Sequence, residues 1–531
     1  MIRFDRVTVT YPDADEPALA DVSLDIPEGE LCLVVGRTGS GKTTLLRAVN
    51  GLVPAFTGGL LQGRVTVAGR STADHPPREM ADLVGYVAQV PSAGFAAAVV
   101  EDELAYTMEN LGMPADVMRR RVEEVLDLMG LAPLRRRPLR FLSAGEQQRV
   151  AIGAVLTASP KVLVLDEPTS ALDPGAAEEV LAALTRLVHD VGLTLLVAEH
   201  RLERVIQYAD RVAVIDDGRI RDGDPAEMMR TAPVVPPVVE LGRLVGSSPL
   251  PLSVRDARRS LDGLRSRLRP LPAVAPTPPG DVVAKVTGLV ARYGAMTALN
   301  GVDLEVRRRE IVAVMGRNGA GKSTLLAQLA GVTAPSAGRV DVLGAAPHRL
   351  EGSSAVKRVA LVPSDPGLLL YAPSVTEECE TADSEHGLPP GTTAAAVRAL
   401  VPLADGNVHP RDLSEGERLG LALAVVLAPG PPLLLLDEPT RGLDYEAKHR
   451  LVAMLQGLAD DGRAVVLATH DVELVAEVAT RVVILADGEV VADGPARPVI
   501  TGSALFAPQV SRIVAPADLL TVGEVREALA G

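Results

Sequence analysis

The sequence predicts an α/β chain built from two tandem copies of one domain, and three observations lead to this prediction. The pattern G-x-x-x-x-G-K-[ST] occurs twice, at Gly36–Thr43 and at Gly316–Ser323. An apolar segment precedes each copy, at Leu31–Val35 and Ile311–Met315, as a buried parallel strand would. The same partner motifs then follow both copies with a period of about 270 residues, which indicates duplicated domains rather than a solenoid.

The repeated pattern is that of a P-loop, in which glycines let backbone N–H groups face phosphates at a helix N-terminus. We expect Lys42 and Lys322 to reach the β- and γ-phosphates of a nucleotide, and the hydroxyls of Thr43 and Ser323 to ligate Mg²⁺. The residues of the two loops that are predicted to bind nucleotide are Gly36, Arg37, Thr38, Gly39, Ser40, Gly41, Lys42, Thr43 and Thr44, and Gly316, Arg317, Asn318, Gly319, Ala320, Gly321, Lys322, Ser323 and Thr324.

Two pairs of acidic residues end apolar segments further along the chain. Asp166-Glu167 follows Val162–Leu165, and Asp437-Glu438 follows a run of leucines. Charges at the mouth of a buried strand are costly unless a metal ion or water compensates them. We therefore expect Asp166 and Asp437 to hold the Mg²⁺ shell, and Glu167 and Glu438 to polarise the attacking water as general bases.

A histidine ends a third apolar segment in each half. His200 follows Leu195–Glu199, and His470 follows Val465–Thr469, at nearly the same distance from the acidic pair. A lone histidine after a strand is usually a hydrogen-bonded cap. Its recurrence in both copies instead favours a role in sensing the γ-phosphate.

A Leu-Ser-x-Gly-Glu segment occurs in each half, at Leu142–Glu146 and Leu413–Glu417. Ser143 and Ser414 are natural helix N-caps with glutamate three residues on, which is the pattern of a capping box. A capped helix N-terminus that carries glycine is also an anion site. A single P-loop domain does not need two anion sites, whereas two domains that face each other head-to-tail do.

Composition narrows the function classes. Among 531 residues the net charge is −15, aromatic residues are 2% and tryptophan is absent, which argues against a nucleic-acid partner and against aromatic base-stacking platforms. No apolar stretch approaches the ~18 residues of a membrane span, and the start lacks a signal-peptide core. Two cysteines, Cys32 and Cys379, cannot build a disulfide scaffold or a Cys₄ metal site. These features predict a reduced, cytosolic, soluble polypeptide.

The predicted halves are residues 1–269 and 281–531, and each opens with a β-rich segment, at Ile2–Thr10 and Val282–Val290. A proline-rich stretch joins them and should be an extended, semi-stiff spacer. The sequence after each histidine also repeats, which predicts a helical C-terminal tail in each half. The predicted boundaries are 1–233 for the first domain, 234–269 for its tail, 270–280 for the linker, 281–505 for the second domain and 506–531 for its tail.

Taken together, these motifs resemble the ATP-binding cassette (ABC) ATPase family in duplicate, over nearly all of both halves. The resemblance implies a Gln loop at Gln89, which would help to bind Mg²⁺ and the water, and adenine stacking on Tyr11 and Tyr293. It also covers the loops at 170–173 and 441–444.

In that family, ATP lies between the P-loop of one cassette and the Leu-Ser-x-Gly-Glu signature of the other. The resemblance implies that one site pairs Lys42, Glu167 and His200 with the second signature. The other site pairs Lys322, Glu438 and His470 with the first signature. The signature residues expected to contact ATP are Ser143, Gly145, Glu146, Ser414, Gly416 and Glu417.

The two sites are not equivalent in sequence. Gln89 fits the Gln loop of the first half, whereas Ser364 stands at the matching position of the second half. Serine is too short to reach Mg²⁺ and water as glutamine does. The second signature also carries Glu415 where the family usually has glycine, and the first carries Ala144. We expect the site with the second P-loop to hydrolyse ATP more slowly.

Within the family, Val100–Gly112, Gly145–Ile152 and the paired tails resemble energy-coupling factor (ECF) transporters. Such proteins drive uptake of vitamins, vitamin precursors, or cobalt and nickel ions through a membrane scaffold subunit and a small substrate-binding membrane subunit. The resemblance implies a peripheral position at the cytoplasmic face of the cell membrane. The match weakens after Gln89, where Val90–Ala98 replaces the acidic and Gln residues that often follow.

Two other classes remain open. A tandem-cassette ATPase of a sugar importer has similar length and one weakened site. A soluble ABC ATPase that acts on ribosomes or in DNA repair also lacks membrane spans. The short proline-rich linker, the acidic charge and the missing metal cysteines favour the transporter classes.

Overall fold

The computed structural model describes residues 1–12, 14–170, 172–261, 263–272, 280–294, 296–401, 406–503 and 506–530. The chain divides into two compact units, Met1–Asp262 and Gly263–Gly531. Most of the predicted linker, residues 273–279, lies outside the described residues.

The first unit contains two sheets. A four-stranded antiparallel sheet has the order β2-β1-β4-β5, and a six-stranded sheet has the order β10-β9-β3-β8-β7-β6, with only the β10 edge antiparallel. The strands are β1 Ile2–Thr10, β2 Leu19–Ile26, β3 Leu31–Val35, β4 Leu60–Val67, β5 Arg70–Ser71, β6 Val84–Val87, β7 Val162–Asp166, β8 Thr194–Ala198, β9 Arg211–Asp216 and β10 Arg219–Gly223.

Helices cover the six-stranded sheet and continue into a tail. The helices are α1 Lys42–Val49, α2 Leu52–Ala55, α3 Pro77–Met80, α4 Val100–Asn110, α5 Ala115–Leu128, α6 Ala144–Leu156, α7 Pro174–His189, α8 Leu202–Val205, α9 Pro225–Met228, α10 Pro237–Leu244 and α11 Val254–Ser260. Short 3₁₀ turns lie at Pro91–Gly94, Ala132–Leu134, Leu139–Phe141 and Ile206–Tyr208.

The second unit repeats this plan. A three-stranded sheet has the order β12-β11-β14, and a six-stranded sheet has the order β15-β16-β17-β13-β18-β19. The strands are β11 Val282–Tyr293, β12 Met296–Arg307, β13 Ile311–Met315, β14 Ala337–Val342, β15 Val359–Val362, β16 Leu433–Asp437, β17 Ala464–Ala468, β18 Arg481–Ala486 and β19 Glu489–Pro495.

The helices of the second unit follow the same succession. They are α12 Lys322–Ala330, α13 Ser353–Val356, α14 Val375–His386, α15 Thr392–Leu400, α16 Glu415–Leu427, α17 Tyr445–Asp460, α18 Val472–Val478, α19 Ala496–Thr501, α20 Gln509–Val514 and α21 Val522–Ala530. Its 3₁₀ turns lie at Arg265–Arg267, Pro347–Arg349, Pro366–Leu369 and Pro410–Asp412.

The apolar runs of the sequence form the cores. Every residue of β3, β8, β13 and β17 is buried, because these central strands are covered on both faces. Cys32 lies in β3 and packs into the core of the first unit as a small hydrophobe. The predicted opening strand Ile2–Thr10 matches β1, whereas the second opening strand continues beyond Val290 to Tyr293, since β11 keeps pairing with β12 to that residue.

The division between units differs from the predicted boundary. Residues 263–269, which the sequence placed in the first tail, are grouped with the second unit. The backbone N–H of Arg269 donates to the carbonyl of Ala528, and the Arg265 guanidinium donates to the carbonyl of Ile513 at 3.0 Å. These bonds tie the segment to the last helices of the chain. Among the described residues, no helix combines the length and apolarity that crossing a membrane requires.

The core of the first unit gives a stability prediction. Leu46 on α1 is completely buried, whereas Leu60 on β4 is 58% exposed. We expect Leu46→Ala to lower the free energy of unfolding by about 2–5 kcal/mol, because it removes buried methyl groups and leaves a cavity. The matched Leu60→Ala should change it by less than about 0.5 kcal/mol. Chemical denaturation of both variants measures this, and similar losses would contradict the assigned packing.

Candidate functional site

The predicted motifs meet at one edge of each six-stranded sheet. In the first unit, parallel pairing aligns Val34 with Ala198 and Ala198 with Asp166. The carboxyl ends of the P-loop strand, the histidine strand and the acidic strand therefore lie side by side. The second unit has the same register, with Val314 and Asp437 both paired to Ala468.

The two P-loops have matching geometry. Lys42 Nζ donates to the carbonyls of Gly36 and Arg37, each at 2.8 Å, so its ammonium lies over the loop. Lys322 Nζ donates to the equivalent carbonyls at 2.9 and 3.2 Å. Gly41 has φ +102°, and a Cβ there would lie 2.4 Å from the carbonyl oxygen of Ala18, so only glycine fits where the helix begins.

The two aspartates lie beside the hydroxyls that were predicted to share a metal ion with them. Burial raises the pKa of the Asp166 carboxyl above its usual range, the Glu167 charge raises it further, and a hydrogen bond from Thr43 opposes both. Burial likewise raises the pKa of Asp437, which a hydrogen bond from Ser323 opposes.

These oxygen donors fit Mg²⁺, which takes few protein ligands and completes its octahedron with water and substrate phosphate. In the second unit, Oδ1 of Asp437 is buried and has no hydrogen-bond partner in the described part of the chain. A metal ion would satisfy that orphaned oxygen.

Glu167 is held by two side chains from different elements. His200 Nε2 lies 2.9 Å from Glu167 Oε1, and Gln89 Nε2 donates to Glu167 Oε2 at 2.9 Å. Glu167 has φ +51°, a left-handed conformation that costs energy for a residue with a Cβ. The structure therefore brings the predicted base, the histidine and the Gln loop into one cluster.

The second unit holds its glutamate differently. Glu438 also has a positive φ, +49°, and its Oε2 lies 2.8 Å from His470 Nδ1. Its other oxygen, Oε1, lies 3.8 Å from Lys322 Nζ. The Ser364 side chain is exposed and makes no hydrogen bond to the described residues, so Glu438 lacks the amide that Gln89 supplies in the first unit.

The two signature segments are capping boxes, as predicted. The Ser143 hydroxyl accepts from the Glu146 N–H while the Glu146 carboxylate accepts from the Ser143 N–H, and Ser414 and Glu417 do the same. Gly145 is required for packing, because a Cβ there would lie 2.9 Å from the Cβ of Ala176 on α7.

Sequence reasoning missed Arg418, which follows the second signature. Its guanidinium lies 2.9 Å from Glu415 Oε1 and donates to the carbonyl of Leu413 at 2.9 Å. The basic residue therefore neutralises the carboxylate that stands where the family usually has glycine. The sequence could have indicated this pair, because Glu415 and Arg418 both differ from the matching residues of the first signature segment.

The two tyrosines that were predicted to stack on adenine both precede their P-loops in the sequence, but their environments differ. The Tyr11 hydroxyl lies 3.0 Å from Thr44 Oγ1, which places it against the first turn of α1. Tyr293 ends β11 and is 46% exposed. The pairing of each P-loop with the signature of the other unit remains a prediction.

Comparison with known proteins identifies the family. The family model described as "ABC transporter" matches residues 19–170 and 299–441. A protein of Streptomyces avermitilis that carries the provisional name ABC transporter ATP-binding protein is 59% identical, with both chains fully covered. A similarly named protein of Streptomyces coelicolor is 57% identical, again over both whole chains.

The chain belongs to the ABC transporter family. It contains two tandem ABC ATPase domains, and such domains bind ATP, typically with Mg²⁺, and imply its hydrolysis. Among solved structures, a chain of ribosome-bound archaeal Pelota and ABCE1 is similar with a TM-score of 0.63 and 21% identity, covering 94% of this chain and 80% of that one. That likeness shows the shared fold alone.

The unequal glutamate environments predict unequal hydrolysis. Glu167→Gln should lower the steady-state ATPase rate by about a hundredfold, because it removes the base that Gln89 and His200 orient. Glu438→Gln should lower the rate by less than about twofold, since that glutamate lacks the Gln89 contact. Turnover by the purified chain with Mg²⁺-ATP measures both variants, and equal losses would contradict the asymmetry.

The buried Asp166 predicts opposite effects on folding and on nucleotide binding. A carboxyl whose pKa is higher in the folded than in the unfolded chain lowers the free energy of unfolding as pH rises between these two pKa values. At neutral pH this loss is complete, so replacing the carboxylate by an amide removes it. Asp166→Asn should therefore raise the unfolding temperature of the nucleotide-free chain.

The same Asp166→Asn variant should lose much of the additional stabilisation that Mg²⁺ gives to the ATP-bound chain. For comparison, a ligand at a hundred times its Kd stabilises a native protein by about 2.7 kcal/mol. Thermal unfolding with ATP, with and without Mg²⁺, is the measurement. An unchanged response to Mg²⁺ would contradict the role of Asp166.

Proposed function

We propose that the chain is the ATP-hydrolysing, energy-coupling subunit of an ECF-type ABC importer. It would drive uptake of a vitamin, a vitamin precursor or a transition-metal ion through separate membrane subunits. The observation that carries the hydrolytic part is the cluster in which His200 and Gln89 both lie 2.9 Å from the carboxylate of Glu167. The ECF assignment is supported by the sequence resemblance of Val100–Gly112 and Gly145–Ile152 to that type.

The geometry supports a division of roles at the first site. Lys42, already over the loop carbonyls, would turn to bind the phosphates, and Thr43 and Asp166 would hold Mg²⁺, which supplies charge neutralisation when bound. Glu167 would accept the proton of the attacking water at one carboxylate oxygen. His200 and Gln89 would hold that carboxylate in one orientation, which lowers the entropic cost of aligning it with the water.

Gln89 also offers a route from the chemistry to a membrane partner. The residue after it, Val90, is 46% exposed, and a 3₁₀ turn, Pro91–Gly94, and helix α4 follow. Tyr106 on α4 is 45% exposed. A partner that contacts this surface would move Gln89 against Glu167, so partner docking and hydrolysis would be coupled.

The segment whose sequence supports the ECF type begins with the acidic first turn of α4. Glu101, Asp102 and Glu103 stand in the first helical turn, where negative charge is favourable, and Val100, Leu104 and Met108 bury the inner face. This segment is the one that resembles ECF ATPases. The proposed position of the chain is at the cytoplasmic face of the membrane, with the two halves paired head-to-tail around two ATP molecules.

Affinity capture from detergent-solubilised membranes of the source organism tests this function. We expect a multi-span scaffold protein and a small substrate-binding membrane protein to copurify with the tagged chain. Glu167→Gln should retain both partners while uptake by the assembled complex falls by about a hundredfold, because the variant keeps the surface and loses the base.

The other outcomes of the capture experiment point to the alternative classes. Copurification of a sugar permease with a periplasmic or lipid-anchored binding protein would replace the ECF proposal by a sugar importer. Cofractionation with ribosomes or with DNA-repair proteins, without a membrane partner, would replace it by a non-transport ABC ATPase.

A further inference from the structure

A buried glutamate that sequence reasoning did not select lies beside the first histidine. Glu199 follows β8, directly precedes His200 and is 2% exposed. The matching residue of the second unit is Thr469. An ionisable side chain is seldom kept fully buried unless its hydrogen bonds compensate the lost solvation.

Glu199 accepts four hydrogen bonds from two segments. Its Oε2 accepts from the Thr169 hydroxyl at 2.6 Å and from the Thr169 N–H at 3.1 Å. Its Oε1 accepts from the N–H groups of His200 at 3.0 Å and Arg201 at 3.4 Å. Both carboxylate oxygens are therefore used, one for each segment.

These two segments carry the two partners of the Glu167–His200 contact. Thr169 lies two residues after Glu167, in the loop that ends at the helix cap Asp173, and His200 lies in the other segment. The loop is also fixed by Arg204, which donates to the carbonyls of Thr169 at 2.9 Å and Leu172 at 3.1 Å. Glu199 thus fixes the backbone on both sides of that contact.

We propose that Glu199 is a positioning residue of the first site, which holds His200 at hydrogen-bond distance from the Glu167 carboxylate by joining their two backbone segments. The proposal rests on the proposed ATP hydrolysis at that site. Glu199 acts through His200 and Thr169 and takes no part in the chemistry itself.

The second unit fixes its histidine segment with different side chains. Thr469 Oγ1 accepts from the Asp471 N–H at 3.0 Å, and Lys448 Nζ on α17 lies 2.9 Å from Asp471 Oδ1 in a buried ion pair. There the ion pair joins the histidine segment to the helix that follows the loop. Substitutions at Glu199 should therefore act on the first site alone.

Kinetics in a Glu438→Gln background, where turnover reports the first site, give the first test. Glu199→Ala should lower kcat about tenfold and change KM for ATP less than twofold, because His200 is displaced while the P-loop is untouched. Glu199→Gln should lose less, since its amide keeps the shape and one acceptor. The matched control is Glu378→Gln, because Glu378 is a buried glutamate of the second unit that accepts from the N–H groups of Tyr371 and Ala372; this variant should leave kcat unchanged.

Hydrogen–deuterium exchange of the nucleotide-free chain gives a second readout that needs no activity. Peptides that contain Thr169 and His200 should exchange faster in Glu199→Ala and Glu199→Gln, and not in Glu378→Gln. Unchanged exchange at those peptides, unchanged kcat, or a rise in KM that matches the loss in kcat would each overturn the proposal. Failure to capture membrane partners would overturn the proposed transport function and leave the exchange result standing.

Discussion

The parallel register of three buried strands positions the P-loop, the acidic pair and the histidine of each unit. The P-loop strand, the histidine strand and the acidic strand are adjacent in each six-stranded sheet, and their last residues are aligned. Side chains that are far apart in sequence therefore meet at one edge. A slip of one residue in the acidic strand would turn the acidic pair towards the opposite face of the sheet.

The sheet edge where these side chains meet combines buried carboxyl groups with strained backbone, and both are unfavourable for folding. The aspartates are desolvated, and both glutamates have a positive φ. Interactions with the hydroxyls, lysines and histidines around them offset part of this cost, and bound nucleotide with Mg²⁺ would offset more. The two units share this backbone arrangement and differ in the side chains around it. Gln89, Glu199 and Ala144 of the first unit correspond to Ser364, Thr469 and Glu415 of the second.

The fold could be predicted from sequence where the signal is local. Strands β3 and β13 follow from short apolar runs. Both capping boxes follow from a serine with a glutamate three residues on. Long-range effects could not be predicted. The continuation of β11 to Tyr293 depends on pairing with β12, and the grouping of residues 263–269 with the second unit depends on bonds to Ile513 and Ala528. Glu199 and Lys448 were missed because their roles arise only from three-dimensional contacts.

We propose that one chain forms two ATP sites, each completed by the Ser-x-Gly-Glu turn of the other half. A cryo-EM or crystal structure of the chain with both Glu167 and Glu438 changed to Gln, in Mg²⁺-ATP, tests this most directly. We expect two ATP molecules, with Lys42 and Ser414 on one triphosphate and Lys322 and Ser143 on the other. ATP bound at both P-loops with the γ-phosphates facing open solvent, and with no serine of the opposite half within reach, would contradict it.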